Sequence, residues 1–135
     1  MNIRKYLVIT TFLLSQPIFA HGEDALGPHN GYVKVPGEYH VEVVPDKDSL
    51  NIMLLDAKLK NPTVLNSQIK VKIKNGSNAY VLRCESMENY FSCPVSDKIL
   101  ARKGTLVIES SRQLAKGDTV EYPLPLQLTE DTETV

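Results

Sequence analysis

The sequence predicts an all-β domain, an immunoglobulin-like antiparallel β-sandwich of about seven or eight short strands. Three observations carry this. Short apolar runs recur along the chain, each closed by a Pro, Gly, Asn or Asp turn. Residues 69–74 alternate strictly, with Ile69, Val71 and Ile73 set against Lys70, Lys72 and Lys74, the period of two of a half-buried strand. Only residues 96–103 and 110–115 have a helical look, and both are short.

The elements follow in order. Residues 32–35 form a first strand, ended by Pro36-Gly37, and residues 39–44 a second, ended by the turn at 45–48. Residues 50–55 form a third, followed by a looser link through Asn61-Pro62. Asn75-Gly76 after the 69–74 strand is a hairpin signal, because a type I′ turn needs positive φ. Residues 79–85 return from it, and residues 90–95, 105–110 and 119–128 complete the set, with Lys116-Gly117-Asp118 as the turn before the last. Residues 129–135 are acidic and threonine-rich, as expected of a flexible tail.

The first residues have a different character. Arg4 and Lys5 precede an apolar stretch at 7–14, Ser15-Gln16-Pro17 breaks it, and Ala20 closes the segment on a small residue. This is the pattern of a cleaved secretory signal peptide over residues 1–20, and the apolar stretch is too short for a spanning helix. The expected mature domain then covers residues 21–128. Removal of Arg4 and Lys5 leaves 13 basic against 16 acidic residues, a net charge of −3. No basic stripe remains to bind nucleic acid, and no second long apolar run remains to enter a membrane. The expected product is a soluble periplasmic monomer.

Export also decides how the two cysteines, Cys84 and Cys93, are read. An even count at short spacing in an oxidising compartment predicts a disulfide. Leu82 shares a face with Cys84, and Phe91 with Cys93, so a connection through 85–89 would set the cysteines on neighbouring antiparallel strands. No CxxC is present, and no histidine lies near to activate a thiolate.

The three histidines, His21, His29 and His40, all fall within the first twenty residues of the expected mature chain. Cleavage after Ala20 makes His21 the first residue. Its amine and its Nδ1 can then chelate one ion, and a further imidazole completes a planar nitrogen set suited to copper(II). His29 stands in a tight turn, GPHNG. His40 lies in EYHVEV, where Tyr39, Val41 and Val43 should face the core and Glu38, His40 and Glu42 the other side. Candidate metal ligands are therefore His21, His29, His40 and Glu42. Each also has a plain reading: a polar first residue, a loop histidine on a carbonyl, a solvated strand face. Met53 and Met87 are soft donors that also read as apolar filler. Three histidines plus a carboxylate could alternatively close a zinc site. No phosphate loop, nucleophile elbow or HExxH is present, so the chain does not read as an enzyme.

The stretch GPHNGYVKVPGEYHVEVVPDKDSLNIMLLD resembles a GPHGG…YHxE…LLD pattern of small bacterial envelope β-domains associated with heavy-metal efflux systems. Gly27, Pro28, His29 and Gly31 match the first block, with Asn30 in place of a glycine. Tyr39, His40 and Glu42 match the second, and Leu54, Leu55 and Asp56 the third. The resemblance spans residues 27–56 and implies an all-β fold and metal handling, although the His-rich run that often accompanies the pattern is missing. A looser similarity, to periplasmic copper-resistance carriers that begin with histidine, rests on His21. The expected function is a copper-binding, or alternatively zinc-binding, carrier or accessory to an efflux adaptor or another envelope protein. The alternative is an interaction module with no metal. Imidazoles bind metal only when deprotonated, so affinity should fall below pH ~6.5.

Overall fold

In chain order the strands are β1 (Tyr32–Lys34), β2 (His40–Pro45), β3 (Ser49–Leu55), β4 (Gln68–Asn75), β5 (Asn78–Leu82), β6 (Glu85–Ser86), β7 (Phe91–Pro94), β8 (Gly104–Arg112), β9 (Ala115–Lys116) and β10 (Val120–Leu124). One short helix, α1 (Asp97–Leu100), joins β7 to β8, capped by the Ser96 hydroxyl on the Ile99 amide. The structure is a computed structural model and describes residues 25–128. The segment 1–20 expected to be a signal peptide, His21 and the expected tail 129–135 lie outside the described residues.

Alternation builds both sheets. Val41 and Val43 of β2, and Leu50, Ile52 and Leu54 of β3, turn inward against Val71 and Ile73 of β4 and Leu106 and Ile108 of β8. One sheet has the order β1-β2-β3-β7-β6 and the other β10-β8-β4-β5, with β9 also on β8. Naming β2 to β8 as A, B, C, C′, D, E and F, and β10 as G, the sheets read A-B-E-D and G-F-C-C′. That is the immunoglobulin-like arrangement. Two tyrosines tie the sheets together. The Tyr39 hydroxyl pairs with Ser110 Oγ at 2.7 Å. The Tyr122 hydroxyl lies 3.0 Å from the Tyr32 carbonyl and 3.2 Å from that of Val41.

Four details depart from the sequence reading. Residues 110–115 are not helical: β8 runs on to Arg112 and turns through Gln113 and Leu114 into β9, both with positive φ. Between β4 and β5 only Gly76 has positive φ, and the loop residues are Gly76-Ser77, which fits a type II′ rather than a type I′ turn. The strand after that turn ends at Leu82, because the chain there crosses to the other sheet. The last strand stops at Leu124. Between β9 and β10, three residues (117–119) oppose two on β8, a bulge. Its Gly117 packs on Tyr39, where a Cβ would lie 2.5 Å from the hydroxyl.

The crossover positions the disulfide. Glu85 pairs with Ser92, so Cys84 falls opposite Cys93, and the two are bonded with Cα atoms 4.1 Å apart. This bridge clasps a hairpin within one sheet rather than joining the two sheets.

Candidate functional site

The outer face of the β1-β2-β3 sheet should be wet, yet it contains a fully buried carboxylate. Glu42 alternates outward between the inward Val41 and Val43, as its position predicts, and its exposure is 0 %. The turn at 27–31 covers it. The His29 amide and the Gly31 amide each donate to Glu42 Oε2 at 2.8 Å, and His29 Nδ1 lies 2.7 Å from Oε1. An ionised carboxylate only accepts, so Nδ1 carries the hydrogen.

The turn can lie this close because of its glycines. A Cβ on Gly27 would stand 2.6 Å from Glu42 Oε2, and one on Gly31 2.6 Å from the Val43 carbonyl. The turn closes on itself through Gly27 N–H to the Gly31 carbonyl and Asn30 N–H to the Gly27 carbonyl. Asn30 has φ of 63°, a conformation Asn tolerates and Gly adopts freely. Asn can therefore occupy the position where the GPHGG pattern has glycine.

His40 opens β2 two residues before Glu42, so it shares the outer face. Its Nδ1 lies 3.0 Å from the Asp56 carbonyl, which again requires hydrogen on Nδ1. The Asp56 carboxylate accepts from the Lys58 and Lys60 amides and from Asn61 Nδ2. The Lys60 amide, then Asn61, hold its carboxyl below the usual value. That knot fixes the loop whose carbonyl faces His40. Arg112 ties the loop to the second sheet through the Leu54 and Asn61 carbonyls.

Both histidines thus have Nδ1 committed to an acceptor, and in the neutral rings Nε2 holds the lone pair. The His29 side chain is 41 % exposed, so its Nε2 can meet an ion from solvent. Anchoring of this kind orients metal-binding imidazoles. The Glu42 oxygens face His29 and Gly31, so the carboxylate stands behind His29 as its support. Nearby, burial and then the Glu42 charge push the Tyr122 hydroxyl far above its ordinary range. Among the described residues, no group of three or more His, Cys, Asp or Glu side chains is placed to hold a metal ion. His21 lies outside those residues.

Sequence reasoning missed the supporting role of Glu42 and the part Asp56 plays for His40. One signal was available: a carboxylate inside the apolar run VEVV, with two glycines four residues apart upstream. No protein-family model, curated protein or solved structure matches the chain.

Proposed function

We propose that this protein is an exported, periplasmic carrier of a transition-metal ion, copper first and zinc second, serving as accessory to a metal efflux or resistance system rather than as an enzyme. One observation carries the reading: His40 opens β2 on the outer face that the turn carrying His29 covers, and in each ring an acceptor fixes Nδ1 and leaves Nε2 for a ligand. Glu42 acts through His29, and the Asp56 carbonyl through His40. The amine and imidazole of His21, freed by cleavage after Ala20, complete a nitrogen-rich set that suits copper(II).

Titration of the processed protein with Cu(II) and Zn(II) tests this. Binding tighter than about micromolar, weakened tenfold or more by H29A and by H40A, is the expected result. Weaker binding, or alanine variants that change nothing, overturns it.

A second reading, an interaction module without metal, is favoured by a different observation. Leu65 and Leu114 are 66 % and 82 % exposed, and the Leu114 amide bonds the Asn66 carbonyl, which joins the two loops that carry them. Capture of an envelope partner that persists in chelator, and is lost in L114S, would support it.

A further inference from the structure

Among the described residues the two sheets end in four outer strands, β1, β6, β10 and β5. An outer strand exposes unpaired backbone N–H and C=O groups, and natural proteins guard it by shortness, by Pro or by charge. β1 has three residues and β6 two, and β10 carries Glu121 and Pro123. β5, Asn78–Leu82, has five residues with neither a charge nor a Pro, and its first four are all exposed. Val81 is the most open of its apolar side chains, at 67 %.

The strand behind that edge is basic. Lys72 pairs with Val81 and Lys74 with Ala79, so the two lysines share the outer sheet face with these apolar residues. On their other side stand Val107 and Thr105, whereas Glu109 is opposite Lys70. Glu121 lies beyond Val107, two strands from Lys72. A lysine stem can lie over a neighbouring apolar side chain and carry its charge further out. An extended segment beside β5 would therefore meet two cations at i, i+2 spacing. Its complement has carboxylates two residues apart on one strand face. Asp131 and Glu133 have that spacing, among the β-branched residues Thr129, Thr132, Thr134 and Val135.

We propose that the open edge of β5 takes up residues 129–135 of a second copy of this chain as an added strand, with Asp131 and Glu133 against Lys72 and Lys74. In such strand addition the main-chain hydrogen bonds give affinity and alternate side chains give specificity. The segment comes from another molecule for reasons of reach. A strand outside β5 lies four spacings, about 19 Å, from β10. Gln127 and Leu128 line a groove with Tyr32, Lys34 and Pro123, at the β10 edge. Asp131 is only three residues further, about 11 Å of extended chain at most. The contact is thus head-to-tail between copies, and it replaces the expected monomer with a concentration-dependent assembly. It uses the sheet opposite His40 and needs no metal.

The test is sedimentation of the processed protein in chelator, over a concentration series at about 0.05 M salt. Wild type should self-associate. Association should weaken about threefold or more in V81K, in the full-chain double variant D131N/E133Q, and in wild type at about 0.5 M salt. A synthetic peptide of residues 129–135 should shift the NMR amide signals of β5 and leave those of β1 in place. Wild type that stays monomeric, or a peptide that leaves β5 unmoved, overturns the proposal. Association that V81K weakens and D131N/E133Q retains also overturns it, and assigns the edge to direct pairing of two β5 strands.

Discussion

His29 Nδ1 sits 2.7 Å from Glu42 Oε1, and the Glu42 carboxylate is fully buried beneath the turn that carries His29. A buried carboxylate is costly unless every lone pair finds a donor. Here the first residues of the described chain supply three donors and are in turn locked to the sandwich.

Glutamine at position 42 should therefore be poorly tolerated. Its oxygen can keep the His29 and Gly31 amides, but its NH2 then faces His29 Nδ1, so the charge-assisted bond is lost and the ring must move its hydrogen to Nε2. We expect E42Q to cost about 1–3 kcal/mol in urea unfolding. A change under about 0.5 kcal/mol, the usual range for surface substitutions, would mean the turn is not held this way.

The two turn glycines make a steric prediction. In G31A the new methyl meets the Val43 carbonyl, backbone that cannot rotate away, so a loss of about 1–3 kcal/mol is expected. G37A, whose nearest neighbour would be 3.8 Å distant, should be near neutral. Equal costs for the two would contradict the close approach.

Tyr122 predicts an alkaline limb of the stability curve. Burial, reinforced by the Glu42 charge, raises its ionisation above the ordinary value of 10.0. The stabilisation is complete below that value and is lost as pH climbs past it, since only the unfolded chain ionises there. Urea midpoints should fall above pH ~10, and Y122F should flatten that fall. An unchanged slope in Y122F would assign the limb to other groups.

Asp56 makes the opposite prediction at low pH. Its carboxyl titrates below the ordinary value of 3.8 because the Lys60 amide and Asn61 favour the charged form. Its contribution is present above that value and fades as pH falls through the lowered one. D56N should show a shallower decline in stability below pH ~4. It should also loosen the carbonyl that fixes His40, seen as a change in the His40 tautomer by nitrogen NMR.

Reduction of Cys84–Cys93 should lower stability by about 2–3 kcal/mol by the loop-entropy model for a short loop. Paired urea melts with and without reductant measure it. The immunoglobulin-like order should survive, because the bridge lies inside one hairpin.

Most strands were legible because each is a short period-two run ended by a turn residue. The disulfide followed from two cysteines placed symmetrically about a reversal. Burial of Glu42 was not legible from its strand alone, because alternation alone sends it to solvent. What covers it is a turn centred thirteen residues earlier, a tertiary contact no local period encodes. The Gln113-Leu114 turn was hidden for a different reason. Both residues take positive φ without being Gly or Asn, so the composition there suggests helix. The crossover after Leu82 was missed because apolar character continues to Cys84 while the chain changes sheets. Of the candidate site, His29 and His40 were readable as imidazoles on offer. Their two supports, Glu42 and the Asp56 carbonyl, needed the fold.

The most direct test of the central claim is a long-range proton–nitrogen NMR spectrum of the histidine rings, recorded before and after one equivalent of Zn(II) or Ag(I). Before addition, His29 and His40 should both carry hydrogen on Nδ1. After addition, both Nε2 resonances should shift toward metal-bound values while both Nδ1 resonances keep their hydrogen. Rings that sample both tautomers, or Nε2 signals that do not move when the ion is added, would contradict the proposed site.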